Sequence, residues 1–390
     1  MNEQTRKNII IATLLSFKIT TYDLEEIRGA AVTLYKFRPQ LGIRISKIRG
    51  LKDELASALG VSSVRIIAPL ADGSVGIEIP NKQRPILPLK DILCSKEYLT
   101  TNMTLPLAIG KKINNEIFMA DLADMPHLLV AGATGQGKSV GLNAMLMSLL
   151  YKRTPEELKL VLIDPKKVEL SAYVAISRPY ITQLEGLPPV ITEAWQAQSM
   201  LDALCRLMDK RYTMLNEAGV RNIREYNEKA QKPMEYYVIV IDEYGDLVMD
   251  KQFGRNLSYY ICRLAQKARA VGMHLIISTQ RPSATIVTGN IKANFPTRIA
   301  FRTTTGTDSR VVLDQIGAEK LTGAGDMLYS SCAELTRVQC AYISTGEVTR
   351  RLKEIGEEYA DCRPKVLKVV QEDKYDYTKS IPNRLAWLYM

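Results

Sequence analysis

The sequence predicts an α/β fold built on a mostly parallel, doubly wound sheet, with a smaller α/β module ahead of it. Three observations carry that prediction. From about residue 106 onward, near-continuous apolar runs alternate with long helical patterns; a glycine-rich octapeptide stands between one such run and a helical segment; and residues 1–105 have a shorter, more broken texture. Strands covered by helices on both faces lose the apolar/polar alternation of half-exposed strands, which is why the runs are continuous. A chain of 390 residues is long enough for one large domain and a smaller one.

In chain order, the first apolar run is IIIATLLSF (9 to 17), which follows Arg6 and Lys7 and ends at Lys18. It falls short of the roughly 18 residues that a bilayer-spanning helix needs and no A-x-A-like cleavage site follows it, so it is expected to pack as a helix or strand. AAVTLYKF (30 to 37), VRIIAPL (64 to 70) and SVGIEIP (74 to 80) read as strands. SKIRGLKDELASALG (46 to 60), with Ile48, Leu51, Leu55 and Leu59 on one stripe, reads as a helix. The strands of the larger part are expected at HLLVAG (127 to 132), KLVLID (159 to 164), YYVIVID (236 to 242), HLIISTQ (274 to 280) and TRIAFRT (297 to 303). The expected division is 1–105, 106–363 and a tail at 364–390.

Hydrophobic residues at 46% and charged residues at 24% sit in the normal range for globular proteins, so disorder is not the default. The net charge of +10, from 52 Lys and Arg against 42 Asp and Glu, leans weakly toward a polyanionic partner. The six cysteines (Cys94, Cys205, Cys262, Cys332, Cys340 and Cys362) include no C-x-x-C pair and only two histidines are present, which argues against a zinc site and fits a reducing cytoplasm.

GATGQGKS (132 to 139) matches G-x-x-x-x-G-K-[ST] in full. Gly132, Gly135 and Gly137 permit a tight loop whose N–H groups face phosphate oxygens, Lys138 supplies a charge for the β and γ phosphates, and Ser139 supplies a hydroxyl for Mg²⁺. With Thr134, Gln136 and Val140 they form the expected ATP-binding set. The structural condition is also met, since HLLV precedes the loop and SVGLNAMLMSLLY follows it as an expected amphipathic helix whose N-terminus favours anions.

Such a loop needs a carboxylate at the end of a neighbouring buried strand to hold hydrated Mg²⁺. VIVIDE (238 to 243) offers Asp242 for the metal and Glu243 as the base that polarises the attacking water; the plainer alternative is a pair of helix-capping acids. HLIISTQRP (274 to 282) puts Thr279 and Gln280 at another strand end, where Gln280 is a candidate for the γ-phosphate or the lytic water, against a simple turn before Pro282. Asp164, ending KLVLID, has the weaker claim of a capping residue. In FGRNLSYYICRLAQKARAVGM (253 to 273), Leu257, Ile261, Leu264, Ala268 and Val271 make an apolar stripe with Gly272 as its C-cap. Arg263 and Arg269 each stand about 120° from its centre, and the pattern does not distinguish them.

MPHLLVAGATGQGKSVGLNAM (125 to 145), LIDPKKVELSAY (162 to 173), GVRNIREYNEKA (219 to 230), RLAQKARAVGMHLIISTQRPSATIVTGNIKANFPTRIAF (263 to 301) and DSRVVLDQIGAEKLTGAGDMLY (308 to 329) resemble the FtsK/SpoIIIE double-stranded DNA translocases. VTLYKFRP and VGIEIPNKQR resemble the small domain that precedes the motor there, so the likeness covers about residues 28 to 350. The resemblance implies a RecA-like motor in a hexameric ring, with DNA in the central channel and ATP at subunit interfaces. It picks Arg269 as the arginine that reaches a neighbour's γ-phosphate. It also places Arg281, Lys292 and Arg310 on channel-facing loops, where they meet backbone phosphates without reading sequence. Gly306 stands where family members often carry lysine, which implies one channel contact fewer. The 27 residues after Arg363 are shorter than the roughly 40 that usually fold alone, so no winged-helix module is expected, and no membrane segment is expected before the motor. The functional expectation is an ATP-driven double-stranded DNA translocase. The rivals are a coupling ATPase of a conjugation or secretion system and a non-catalytic DNA-binding scaffold.

Overall fold

In the computed structural model, which describes residues 3–368 other than 62, 71, 83–84 and 332–333, all five expected strands of the larger part lie side by side and parallel. The strands in chain order are β1 (Thr21–Arg28), β2 (Val32–Pro39), β3 (Arg65–Ile67), β4 (Val75–Pro80), β5 (Pro106–Lys112), β6 (Ile117–Asp121), β7 (His127–Ala131), β8 (Leu158–Ile163), β9 (Thr182–Leu184), β10 (Val190–Ile191), β11 (Tyr236–Ile241), β12 (Met273–Thr279), β13 (Thr297–Phe301), β14 (Asp326–Ser331), β15 (Glu334–Cys340) and β16 (Lys365–Leu367). The large sheet runs β10-β8-β11-β12-β7-β13-β14-β15-β5-β6. Pairing is parallel from β10 to β13 and antiparallel from β13 to β6. β16 pairs with β9 in a separate two-stranded sheet, and residues 369–390, most of the expected tail, lie outside the described residues.

Period-2 geometry explains the continuous runs. In β7 and β8, Leu128, Val130, Leu160 and Leu162 enter one core, while Leu129, Ala131, Val161 and Ile163 enter the core on the other face. Both faces are dry because helices Lys138–Lys152 and Thr345–Glu358 supply buried residues to the first core and helices Ala194–Glu217 and Gly254–Lys267 to the second.

The small module is an antiparallel sheet, β1-β2-β4-β3, over a core of its own that includes Ile48, Leu55 and Leu59. The first apolar run forms a helix, Glu3–Ser16, whose Ile10 and Leu14 join that core. One local reading needs correction, and one strand was not anticipated. The helix expected over 46 to 60 is two helices, Ile45–Gly50 and Lys52–Leu59, because Leu51 leaves helical geometry at φ −85°, ψ 18°. β1 escaped the pattern because its sequence, TYDLEEIR, lies half-buried at a sheet edge and includes three acids. Between the two parts, Leu89, Ile92 and Leu105 already pack in the large core.

A buried ionic junction joins the module to the large sheet. Arg337 on β15 donates to Asp326 on β14 at 2.6 and 2.9 Å and to Glu78 on β4, and Arg65 on β3 pairs with Glu78 at 3.3 Å. Burial opposes the Arg337 charge, but Glu78 and Asp326 outweigh it and raise the guanidinium pKa. Among the described residues, no helix is long and apolar enough to cross a membrane.

Candidate functional site

β7 ends in a loop that only glycine permits at two points. A Cβ on Gly132 would come within 2.6 Å of Phe301 Cβ, and Gly137, at φ +110°, would bring a Cβ within 2.8 Å of the Gly325 nitrogen. The helix that follows, Lys138–Lys152, departs from the amphipathic expectation. It is buried on most sides, with Leu142, Met145, Leu146, Leu149 and Leu150 all enclosed. Its first-turn N–H groups lack intrahelical partners and open at the loop, an anion-binding arrangement.

Lys138, 3% exposed, extends from that helix to Asp242 Oδ1 at 2.5 Å and Ser278 Oγ at 2.9 Å. Ser278 Oγ also donates to Asp242 Oδ1 at 2.5 Å. Asp242 is fully buried, and its Oδ2 has no hydrogen-bond partner among the described residues. A buried carboxylate oxygen without a donor suits a cation, so the residues present fit a divalent metal beside Ser139.

Glu243 follows in the left-handed region at φ +51° and is 1% exposed. Its Oε1 accepts from Thr279 Oγ1 at 2.8 Å, the Gln280 N–H lies 3.1 and 3.2 Å from its two oxygens, and Lys166 Nζ is 3.0 Å from Oε2. Gln280 Oε1 accepts from Thr134 Oγ1 at 2.9 Å, tying the loop to the end of β12. The strand ends thus converge as the alternation of runs and helices implies: β7, β11 and β12 are adjacent, and their C-terminal ends carry the loop, the acid pair and the Thr-Gln pair.

A cavity of about 410 Å³ opens on this cluster. Thr134, Gly135, Gly137, Lys138, Ser139, Val140 and Gln280 line it; Gly132 sits behind it against Phe301, and the Gln136 carbonyl accepts from the Gly325 N–H at 3.1 Å. Its other wall was not read from the sequence. Ile86, 67% exposed, and Tyr342, 44% exposed, flank the mouth, zipped together by the Tyr342 N–H to the Leu87 carbonyl at 2.7 Å. Cys340 also lines it, its thiol pushed up to about 12 by burial and therefore protonated. No motif marks these residues, because they come from two segments far apart in the chain.

The two arginines left equivalent by periodicity differ in space. Arg263 is half-buried and paired with Asp209 at 2.7 Å. Arg269 is exposed on the 3₁₀ turn Ala268–Val271 and donates to the Asp124 carbonyl at 3.4 Å. It precedes β12, whose seven residues span about 20 Å, so it lies at the opposite end of the sheet from its own loop. Arg281 is exposed on the loop after β12. Lys292 and Arg310 are on short helices, Gly289–Asn294 and Gly306–Leu313, rather than on loops, because Thr288 and Thr305 cap them. Arg310 is exposed, whereas Lys292 is paired with Asp314 at 2.5 Å.

Residues 88–284 match the model of the FtsK/SpoIIIE family, and residues 1–81 match that of the FtsK alpha domain. A relative from Chlorobaculum tepidum, described as DNA translocase FtsK, is 44% identical over 361 residues, which is 90% of this chain and 44% of the relative. One of the same description from Haemophilus influenzae is 43% identical over 366 residues, 86% of this chain and 67% of the relative. The chain therefore spans less than half the length of the Chlorobaculum protein. Among solved structures, the pCW3 conjugation coupling protein TcpA, a monomer form with ATPgS, superposes with a TM-score of 0.63 at 25% identity, covering 90% of this chain and 99% of that one. The cytoplasmic domain of the Thermomonospora curvata type VII secretion ATPase EccC gives 0.60 at 24% identity over 74% of this chain and 36% of that one, a likeness of fold.

Proposed function

This chain belongs to the FtsK/SpoIIIE family, and from that membership we propose that it hydrolyses ATP to drive double-stranded DNA through a ring of identical subunits. The observation that carries the reading is a cavity lined by the glycine loop, Lys138 and Gln280, with Asp242 and Ser278 hydrogen-bonded to Lys138 and Glu243 accepting from the Gln280 N–H.

In this mechanism the loop N–H groups and Lys138 cradle the β and γ phosphates. Ser139 and Asp242 would hold Mg²⁺, which would supply charge neutralisation to the phosphates. Glu243, aimed by Thr279 and the Gln280 N–H, takes the proton of the attacking water, and Gln280 sits within reach of the loop to orient that water or the γ-phosphate. Arg269, remote from its own loop, completes the site of the neighbouring subunit, where its charge stabilises the developing phosphoryl charge. Arg281, Lys292 and Arg310 meet backbone phosphates in the channel, a sequence-independent contact that suits a motor moving along any DNA. The expected setting is the cytoplasm.

Phosphate release with and without linear duplex DNA tests this. Stimulation by DNA alone supports a translocase; no hydrolysis in either condition would leave a non-catalytic scaffold. A second reading, a coupling ATPase, draws on the likeness to TcpA. Hydrolysis that requires a membrane or relaxosome partner would favour it.

A further inference from the structure

The turn after β8 aims a carboxylate that the proposed chemistry has not used. Glu169 Oε1 accepts from Ser139 Oγ at 2.5 Å. The turn that carries it is tightly built. Asp164, fully buried at the end of β8, accepts from the Lys166 and Lys167 N–H groups through Oδ1 at 3.1 and 3.0 Å and from the Leu170 N–H through Oδ2 at 3.0 Å. Leu170 is locked in the core. A second tie comes from the other side: Tyr173 Oη donates to Asn143 Oδ1 at 2.8 Å, and Asn143 Nδ2 donates to the Ser139 carbonyl at 3.1 Å. The segment that carries Glu169 is thus tied to the first turn of the phosphate-loop helix twice, by Glu169 to Ser139 Oγ and by Tyr173 through Asn143 to the Ser139 carbonyl.

The chemistry of the contact is directional. A serine hydroxyl has one proton and two lone pairs. With the proton given to Glu169, Oγ keeps its lone pairs for a cation. At the same site Asp242 Oδ2 is buried and has no partner among the described residues.

We propose that Glu169 is a positioning residue for the divalent cation that accompanies the nucleotide: by accepting the Ser139 hydroxyl hydrogen bond it orients the Ser139 oxygen toward the metal. The inference rests on the nucleotide site proposed above. Partners that orient a metal ligand usually contribute 10–100-fold in metal affinity.

The test uses the full chain and a fluorescent non-hydrolysable ATP analogue, titrated with Mg²⁺ and, separately, bound in EDTA. Glu169→Gln keeps an oxygen acceptor but removes the charge, and Glu169→Ala removes both. The expected result is that Glu169→Ala raises the half-saturating Mg²⁺ concentration at least about 10-fold, with Glu169→Gln intermediate, while affinity in EDTA changes less than about twofold. Because the effect runs through Ser139, adding Glu169→Ala to Ser139→Ala should shift the Mg²⁺ midpoint little further. An unchanged Mg²⁺ midpoint in Glu169→Ala, an equal loss of affinity in EDTA, or full additivity with Ser139→Ala would each overturn the proposal. If the unsubstituted protein does not bind the analogue at all, the nucleotide reading itself fails, a result distinct from the other three; binding without any Mg²⁺ dependence would overturn the metal proposal alone.

Discussion

Thr279 Oγ1 donates a hydrogen bond to Glu243 Oε1 at 2.8 Å and at the same time accepts one from the Arg281 N–H at 3.1 Å. One hydroxyl therefore connects the proposed base to the first residue of the loop expected to face DNA. Glu243 has little freedom: Lys166, Thr279 and the Gln280 N–H hold its carboxylate, and its own backbone lies at φ +51°.

Glu243→Gln should therefore bind ATP nearly as well as the parent and lose hydrolysis by about 10²-fold or more, since only proton removal from water is affected. Equilibrium binding of a fluorescent analogue and a phosphate-release assay on the same preparation measure the two effects. Near-normal turnover would remove Glu243 from its role.

Lys138→Ala should abolish nucleotide binding and also lower stability without nucleotide. The substitution leaves buried Asp242 with Ser278 as its one side-chain donor among the described residues, and breaking a buried pair in this way costs about 3–5 kcal/mol. A denaturant midpoint equal to that of the parent would show that the pair is solvated.

Arg269→Ala should bind ATP and fail to turn it over when every subunit carries the change. Its position before β12, remote from its own loop, implies action on a neighbour. Mixing it with Glu243→Gln should restore some hydrolysis at interfaces that combine an intact Arg269 and an intact Glu243. No rescue in confirmed mixed assemblies would count against action between subunits.

Arg281→Ala and Arg310→Ala should each flatten the log–log salt dependence of duplex binding by about 0.9 unit, alike for unrelated sequences. Lys292→Ala should do less, because Asp314 holds that ammonium at 2.5 Å, and Asp314→Asn should tighten DNA binding by releasing it. Loss confined to particular sequences would mean that these side chains read bases.

His127 and His274 set an acid limit. Burial pushes the first down to about 3, helped by the charge of the second, and burial pushes His274 down to about 4. The unfolded chain therefore binds protons that the native one refuses, so the stability these rings contribute is complete above pH about 6.5 and falls as pH drops toward 4, by up to about 1.4 kcal/mol per pH unit per ring. Denaturant midpoints between pH 7 and 5, above the range of most carboxylates, measure the slope. A flat profile would show the rings to be charged or solvated.

The parts of this site that the sequence reveals are those built from contiguous residues. A glycine loop, a D-E step and a T-Q step each occupy one strand end, and parallel pairing brings β7, β11 and β12 together without further information. Glu169 was not legible as a partner of Ser139, because the contact depends on how Asp164 folds the following turn. The cavity wall at Ile86 and Tyr342 joins residues more than two hundred positions apart, and no local period encodes that. Lys292 reads as a free cation until Asp314 is seen against it. The short helix carrying Lys292 depends on the single threonine cap Thr288, and that carrying Arg310 on a capping box of Thr305 and Asp308, short signals inside a loop-like sequence.

The Arg337 junction bears on how the chain comes apart. The small module and the large sheet have separate hydrophobic cores, so each resembles an independent folding unit. Yet Glu78 is one of the two carboxylates that neutralise Arg337, and it belongs to the module. Detaching the module would leave the Arg337 guanidinium with half of its counter-charge gone, and would leave Glu78 with Arg65 as its arginine partner. Calorimetry of the intact chain should then record a single endotherm with equal van't Hoff and calorimetric enthalpies, rather than one peak for each core.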